Sequence, residues 1–197
     1  MILRKIQSFC FIFITLSFVI APLNSAQNVL GVVKKADDFS LKDYNGNQYS
    51  LKDFKDSKAI VLIFIATECP VSNAYNSRME AIYNNYKDKN VAFLGINSNK
   101  AENIVRMKEH AKSNGLTFPI LKDDNNIIAD KFRASVTPEV FVLNNNFEII
   151  YHGRIDDSRD EGDVEKKDLR NALDEILSGK QVSDPVTKAF GCTIKRI

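Results

Sequence analysis

Two stretches of the chain, Ala59 to Ala66 and Val91 to Asn97, are nearly unbroken apolar runs of strand length, the pattern of strands buried on both faces. After the first run the period turns helical. Val71, Ala74, Tyr75, Met79, Ile82, Tyr83 and Tyr86 share one face from Pro70 to about Lys87, and Pro70 suits a first helical turn. A second helix is predicted from about Ala101 to Ser113, ended by Asn114-Gly115. These segments make a βαβα unit. Short alternating runs around Asn45-Gly46, from Phe39 to Leu51, predict a β-hairpin ahead of it. Beyond it come a short strand at Ile120-Leu121, a short helix from Asn125 to Phe132, and an antiparallel pair, Val140 to Leu143 with Glu148 to Tyr151, around an Asn144-Asn145-Asn146 turn. An amphipathic helix from Val164 to Leu177, stopped by Ser178-Gly179, closes the pattern. The fold class is α/β, a central mixed sheet flanked by helices with an N-terminal hairpin.

The first 26 residues read differently. A basic start at Arg4-Lys5, an apolar run from Phe9 to Ala21 and a small-residue exit at Ser25-Ala26 are the marks of a cleaved secretory leader, too short to span a bilayer comfortably. Its removal leaves 171 of the 197 residues, enough for one core. The expected layout is a leader over 1–26, a domain over 31–180 and a tail over 181–197 that carries Cys192. Without Arg4 and Lys5 the 27 basic residues fall to 25, against 25 acidic ones. That balance gives no field to draw nucleic acid or hold an anionic membrane surface, and no stable membrane insertion is expected once the leader is gone. The expected location is secreted or periplasmic.

Cys10 leaves with the leader, so two cysteines remain, Cys69 and Cys192, in a chain bound for a compartment where disulfides persist. With two histidines in the chain, a Cys/His zinc site lacks a ligand set, so no metal is expected. Cys69 sits where a buried strand turns into a helix, in Phe64-Ile65-Ala66-Thr67-Glu68-Cys69-Pro70-Val71-Ser72. Thiols at helix starts can have pKa values lowered to roughly 3.5 to 7.5. Val136-Thr137-Pro138 places a proline directly before a buried strand.

The hairpin, the Cys69-Pro70 stretch and Val136-Thr137-Pro138, in that order, resemble the thioredoxin-like superfamily, in particular its alkyl hydroperoxide reductase and redoxin branch, over about residues 31 to 180. Tyr151 to Asp157 and the terminal Gly191-Cys192-Thr193-Ile194-Lys195-Arg196 are similar to a secreted peroxiredoxin-like subgroup. The resemblance implies that Cys69 is the nucleophile, that Pro138 is cis and packs beside it, and that Thr137 offers backbone groups to a bound thiol partner. It implies no organic cofactor. The substrate is a protein disulfide or a peroxide, and an external thiol reductant is needed for turnover.

The departures carry as much weight. Ser72 stands where thioredoxins place a second cysteine, so no disulfide closes inside the motif; its hydroxyl is a candidate donor to a Cys69 thiolate. Leu62 and Ala66 occupy the positions where peroxiredoxins carry a proline and a peroxide-orienting hydroxyl, with Thr67 one residue away. Cys192 is the candidate resolving thiol. A redox-active pair, a purely structural bridge and two independent thiols all stay open. A structural bridge would make the protein a binding module, and copper handling is a more distant third reading, because Ser72 removes one ligand. Arg154 is read as a surface residue, Glu68 as a modulator of substrate choice, and His110 and His152 as solvent-facing.

Overall fold

The computed structural model describes residues 34–196, so the leader, Cys10 and the first three residues of the expected domain lie outside the described residues. β1 (Ser40–Asp43) and β2 (Gln48–Ser50) form the expected hairpin. Its turn is set by Asp43, whose carboxylate accepts the N–H groups of Asn45 and Asn47 at 2.8 Å each. β3 (Ala59–Phe64), β4 (Val91–Asn97) and β5 (Ile120–Lys122) run parallel in the centre, and the short β6 (Val136–Thr137) stands apart from them. β7 (Glu139–Leu143) and β8 (Ile149–Gly153) add an antiparallel edge. The seven-stranded sheet has the order β2-β1-β5-β4-β3-β7-β8. A separate two-stranded ribbon pairs β6 with β9 (Cys192–Thr193).

All six residues of β3 are buried, which is why no polar position interrupts its sequence. Its alternate residues feed two different cores. Val61 and Ile63 face Tyr75, Met79, Met107, Leu169 and Leu173; Ile60, Leu62 and Phe64 face Phe39, Ile128, Phe132 and Phe141. Burying each such side chain contributes about 1.5 to 3 kcal/mol, so β3 anchors both layers.

Three expected helices start or break differently. The segment from Pro70 is two helices, α1 (Pro70–Ala74) and α2 (Asn76–Tyr86), parted at Tyr75, where φ and ψ are −97° and −4°. Tyr75 is bound sideways: its hydroxyl donates to Ser158 O at 2.7 Å and the Arg78 guanidinium lies 3.7 Å over its ring. α3 (Ile104–Ser113) starts later than its pattern because Glu102 turns inward and Asn103 caps the helix through Arg106 N–H. α4 (Ile127–Phe132) matches its expected place. α5 (Asp168–Leu177) begins four residues beyond Val164, because the Asp157 carboxylate accepts the N–H groups of Glu165 and Lys166 and holds that stretch extended.

The loop after β8 is fixed by a buried ion pair. Both carboxylate oxygens of Asp156 lie 2.8 Å from Arg78, which also donates to Ser158 O, and neither side chain is more than 8% exposed. Removing one partner leaves the other charge buried alone, so Asp156→Ala is expected to cost about 3 to 5 kcal/mol, read as a lowered urea midpoint. Replacement of the exposed Lys52, whose partner Asp38 is also exposed, should change the midpoint by less than about 1 kcal/mol equivalent.

Candidate active site at the end of the central strand

Five residues separate β3 from α1, and the last of them is Cys69. Cys69 is the N-cap of α1: its sulfur accepts the N–H of Ser72 at 3.3 Å, and the residue is 4% exposed. On its other side the sulfur lies 3.4 Å from the carbonyl oxygen of Thr137. The Thr137–Pro138 peptide is cis. β9 lies antiparallel to β6 with Thr137 opposite Cys192, and Cys69 and Cys192 form a disulfide with Cα atoms 5.9 Å apart, inside the roughly 4.4 to 6.8 Å that such a bond spans. The topology therefore unites Cys69, Thr137, Pro138 and Cys192.

Ser72 is at the site in another role. Its side chain is fully buried and its Oγ accepts the N–H of Ala66 at 3.2 Å, while its backbone N–H, not its hydroxyl, faces the sulfur. Thr67, the candidate stand-in for a peroxide-orienting hydroxyl, has its Oγ buried without a partner among the described residues, as does Thr137.

The tail is a docked segment of the structure. His152 N–H donates to Pro185 O and Thr187 N–H donates to His152 O, which lays the tail along β8. Phe190 packs edge-on against Tyr75. After Cys192, Ile194 is 2% exposed in the core of the β3 face lined by Phe64 and Phe132, and its N–H donates to Ser135 O. Lys195 N–H donates to Asn99 Oδ1 at 2.8 Å, and Arg196 reaches Asp130 and Ala134 O. Gly191 is required by proximity: a Cβ there would collide with the carbonyl of Thr137.

Two buried carboxylates, neither singled out by the sequence, staple the loops on either side of Cys69. Glu102 accepts the N–H groups of Thr67 and Glu68 at 2.6 and 3.3 Å, together with the side-chain amides of Asn97 and Asn99. The amide that Asn99 turns toward Glu102 leaves its carbonyl facing Lys195, so one carboxylate braces the approach to Cys69 and, through Asn99, the segment after Cys192. Glu139 takes the N–H groups of Ser135 and Val136 at 2.7 and 3.1 Å and pairs with His152 Nε2 at 2.7 Å. Burial alone would push the Glu139 carboxyl up, but His152 and the two backbone N–H groups outweigh it and hold it below its ordinary value. A signal was present in both cases: a charge opening the otherwise apolar Glu139–Leu143, and a stretch from Asn97 to Asn103, polar but for Ala101, that begins at the end of a buried strand.

The remaining candidates fall elsewhere. His152 is not simply solvent-facing; besides pairing with Glu139 it stacks on Phe141 with centroids 4.2 Å apart. His110 is half-buried beside Asn76 and Asn114, and desolvation lowers its pKa. Arg154 is bound to Asp168 at 2.7 Å, and Glu68 pairs with Arg106 at the surface. A broad groove lined by Phe39, Lys42, Tyr44, Ile104, Lys122 and Ile127 contains neither cysteine.

A family model described as AhpC/TSA family matches residues 32–157, and the chain belongs to that family. The thioredoxin-like protein YneN of Bacillus subtilis (strain 168) is 33% identical over 142 residues, 72% of this chain and 78% of that protein. A thiol-disulfide oxidoreductase, ResA of Halalkalibacterium halodurans, is 27% identical over 117 residues; the match covers 59% of this chain and 65% of ResA, just under two thirds of that relative's length. Among solved structures, a hypothetical protein from Sinorhizobium meliloti 1021 superposes with a TM-score of 0.79 at 34% identity, covering 86% of this chain and 97% of its own. An uncharacterized conserved protein from Geobacillus kaustophilus does so at 0.79 and 32%, covering 86% and 94%. The fold is thioredoxin-like.

Because the folded Glu139 carboxyl is held below its ordinary value of 4.5, its contribution to stability is complete above that pH and is lost as pH falls through the lower folded value. The gap in urea midpoint between wild type and Glu139→Gln is expected to be widest near neutrality and to narrow below pH 4.5, measured by unfolding series at successive pH values. Glu102→Ala leaves several buried donors unpaired and is expected to cost about 3 kcal/mol or more, with Glu102→Gln costing less because one acceptor oxygen remains.

Proposed function

We propose that the protein is an extracytoplasmic thiol-disulfide oxidoreductase in which Cys69 and Cys192 alternate between dithiol and disulfide. The observation that carries this reading is the meeting of the two sulfurs at the end of β3, with a Ser72 N–H on the Cys69 sulfur and the Thr137–Pro138 turn against it. An N–H donor stabilises the thiolate more than the thiol, so it supports Cys69 as the nucleophile. The extracytoplasmic location rests on the sequence marks of a leader expected over 1–26.

In the reduced protein the Cys69 thiolate attacks one sulfur of a substrate disulfide and expels the other as a thiolate. The resulting mixed disulfide is resolved by the Cys192 thiolate, which attacks Cys69 Sγ, releases the substrate's second thiol and forms the Cys69–Cys192 bond. The substrate is reduced by two electrons, and an external thiol must reduce the bridge before the next cycle. β9 need not leave during this cycle. Ile194 in the core and Lys195 N–H on Asn99 hold the tail by contacts that do not involve the bond. A peroxide is the less favoured oxidant, because Leu62 and Ala66 are buried and apolar where a peroxide-orienting proline and hydroxyl would stand.

Turnover of a model disulfide, coupled to a thiol reductant, is expected to vanish in Cys69→Ser. In Cys192→Ser one equivalent of substrate should remain trapped on Cys69 as a mixed disulfide. The bridge's potential against glutathione decides the matter: a poise above about −300 mV supports a catalytic pair, whereas a bridge that stays closed well below that value makes it structural and the protein a binding module.

A further inference from the structure

The groove lined by Lys42, Tyr44, Ile104, Lys122 and Ile127 takes no part in the chemistry at Cys69, yet it opens at the same end of the sheet. It lies past the carboxyl ends of β4 and β5, as Cys69 lies past that of β3, and open α/β sheets bind ligands on that side. Its volume is about 850 Å³. Of the four large apolar side chains exposed among the described residues, three stand in it or beside it: Ile104, Val105 and Ile127, each more than half exposed. Ile104 and Val105 open α3 and Ile127 opens α4, where a polar or acidic residue suits a helix start better. Aliphatic side chains gathered in water against both preferences mark a contact surface.

The rim of the groove is cationic. Lys42 on β1 stands directly opposite Lys122 on β5, an arrangement that destabilises a sheet and that a bound anion would relieve. Two acids of the groove are turned inward: Asp43 accepts the N–H groups of Asn45 and Asn47, and Asp123 those of Ile128 and Ala129. Asp124 stays exposed. Desolvation lowers the pKa of Lys122 in spite of Asp124, Glu102 and Asp123 nearby, so the acids present do not compensate its burial. Among the described residues, neither Lys42 nor Lys131, which also lines the groove, pairs with a carboxylate. The groove also shares a wall with the disulfide. Lys122 Nζ donates to Asn99 O at 2.7 Å, and Asn99 Oδ1 accepts the N–H of Lys195, three residues past Cys192. Glu102, which holds Thr67 and Glu68 N–H just before Cys69, lies two residues ahead of Ile104. A polypeptide seated in the groove therefore abuts the segments that carry both cysteines.

We propose that this groove docks the substrate protein by an extended segment in which aliphatic side chains lie next to aspartate or glutamate. The aliphatic side chains cover Ile104 and Ile127, and the carboxylates lie among Lys42, Lys122 and Lys131. A polypeptide is favoured over a free amphiphile because the apolar patch runs on to Val105, outside the groove that a small ligand would fill. This rests on the oxidoreductase reading above and names the class of polypeptide it acts on.

The probe is a dye-labelled, cysteine-free peptide of alternating leucine and aspartate, titrated with the oxidised full chain and followed by fluorescence anisotropy. Saturable binding is expected, weakened at least about tenfold when lysine replaces the aspartates or serine replaces the leucines. Ile104→Glu and Ile127→Glu each put an acid in the first turn of a helix, where it is well tolerated, and each is expected to weaken the aspartate peptide at least about fivefold. No saturable binding, or binding that both variants leave unchanged, overturns the docking site. Binding of dodecanoate without binding of the peptide makes the occupant an amphiphile and also overturns it. The substrate role is read from the same peptide joined to an intramolecular disulfide, which the reduced protein is expected to turn over with a lower KM than its lysine counterpart. Equal KM values overturn that role while the oxidoreductase reading stands. Failure to reduce these peptides and a small-molecule disulfide alike overturns that reading and the substrate role with it.

Discussion

The turn from β3 into α1 must place the Cys69 sulfur at the start of a helix directly after a strand buried on both faces, and it leaves backbone N–H groups of Thr67 and Glu68 with no strand or helix partner. Glu102 answers both with one carboxylate. The same carboxylate takes the buried side-chain amides of Asn97 and Asn99, whose loss of a partner would cost about 1 to 3 kcal/mol each, so the loop is braced by a group that is itself firmly held. The position of Cys69, its bond to Ser72 N–H and its approach to Thr137 all follow from the path this turn takes. The requirement also explains the late start of α3: Glu102 serves the neighbouring loop, so the helix begins after it, with Asn103 as cap.

The opposite wall is built by the same device. Glu139 folds back onto the N–H groups of Ser135 and Val136, which shapes the segment before the cis peptide and presents β6 with an open edge. An unpaired strand edge calls for a partner. Here the chain supplies its own in β9, and the register that sets Thr137 opposite Cys192 is the one that brings the sulfurs together. Gly191 permits the close passage over the Thr137 carbonyl that this register demands.

Much of this was legible from residue patterns. The two buried strands, the hairpin, the antiparallel β7–β8 pair and Cys69 at a strand-to-helix junction follow from periodicity and turn chemistry, which are local. What periodicity could not supply is what depends on distant partners. The break at Tyr75 comes from Ser158 and Phe190, residues more than 80 positions away. The late start of α5 comes from Asp157, the role of Glu102 from backbone groups of a loop some 35 residues earlier, and that of Glu139 from His152 on the neighbouring strand as well as from the N–H groups just before it. Ser72 shows the same limit within a single motif. Its place near the sulfur was readable, yet which of its two groups faces the sulfur depends on Ala66 N–H, which claims the hydroxyl.

Moving the second cysteine out of the Cys69 helix turn changes what controls the redox couple. When two cysteines share one helical turn, their proximity is local and nearly independent of the rest of the fold. Here 123 residues separate them. A loop of that length would oppose closure by about 5 kcal/mol of chain entropy if it were free. Folding and tail docking have already met that cost, so the sulfurs meet at high effective concentration whether or not they are bonded. Contacts that hold the tail equally in both redox states therefore favour the disulfide, and contacts made only when the bond is closed favour it further. Each 1.4 kcal/mol of such bias amounts to about 30 mV in the potential of the pair. Asn99, Ile194 and Arg196, which touch neither sulfur, thus belong to the redox couple as much as to the fold.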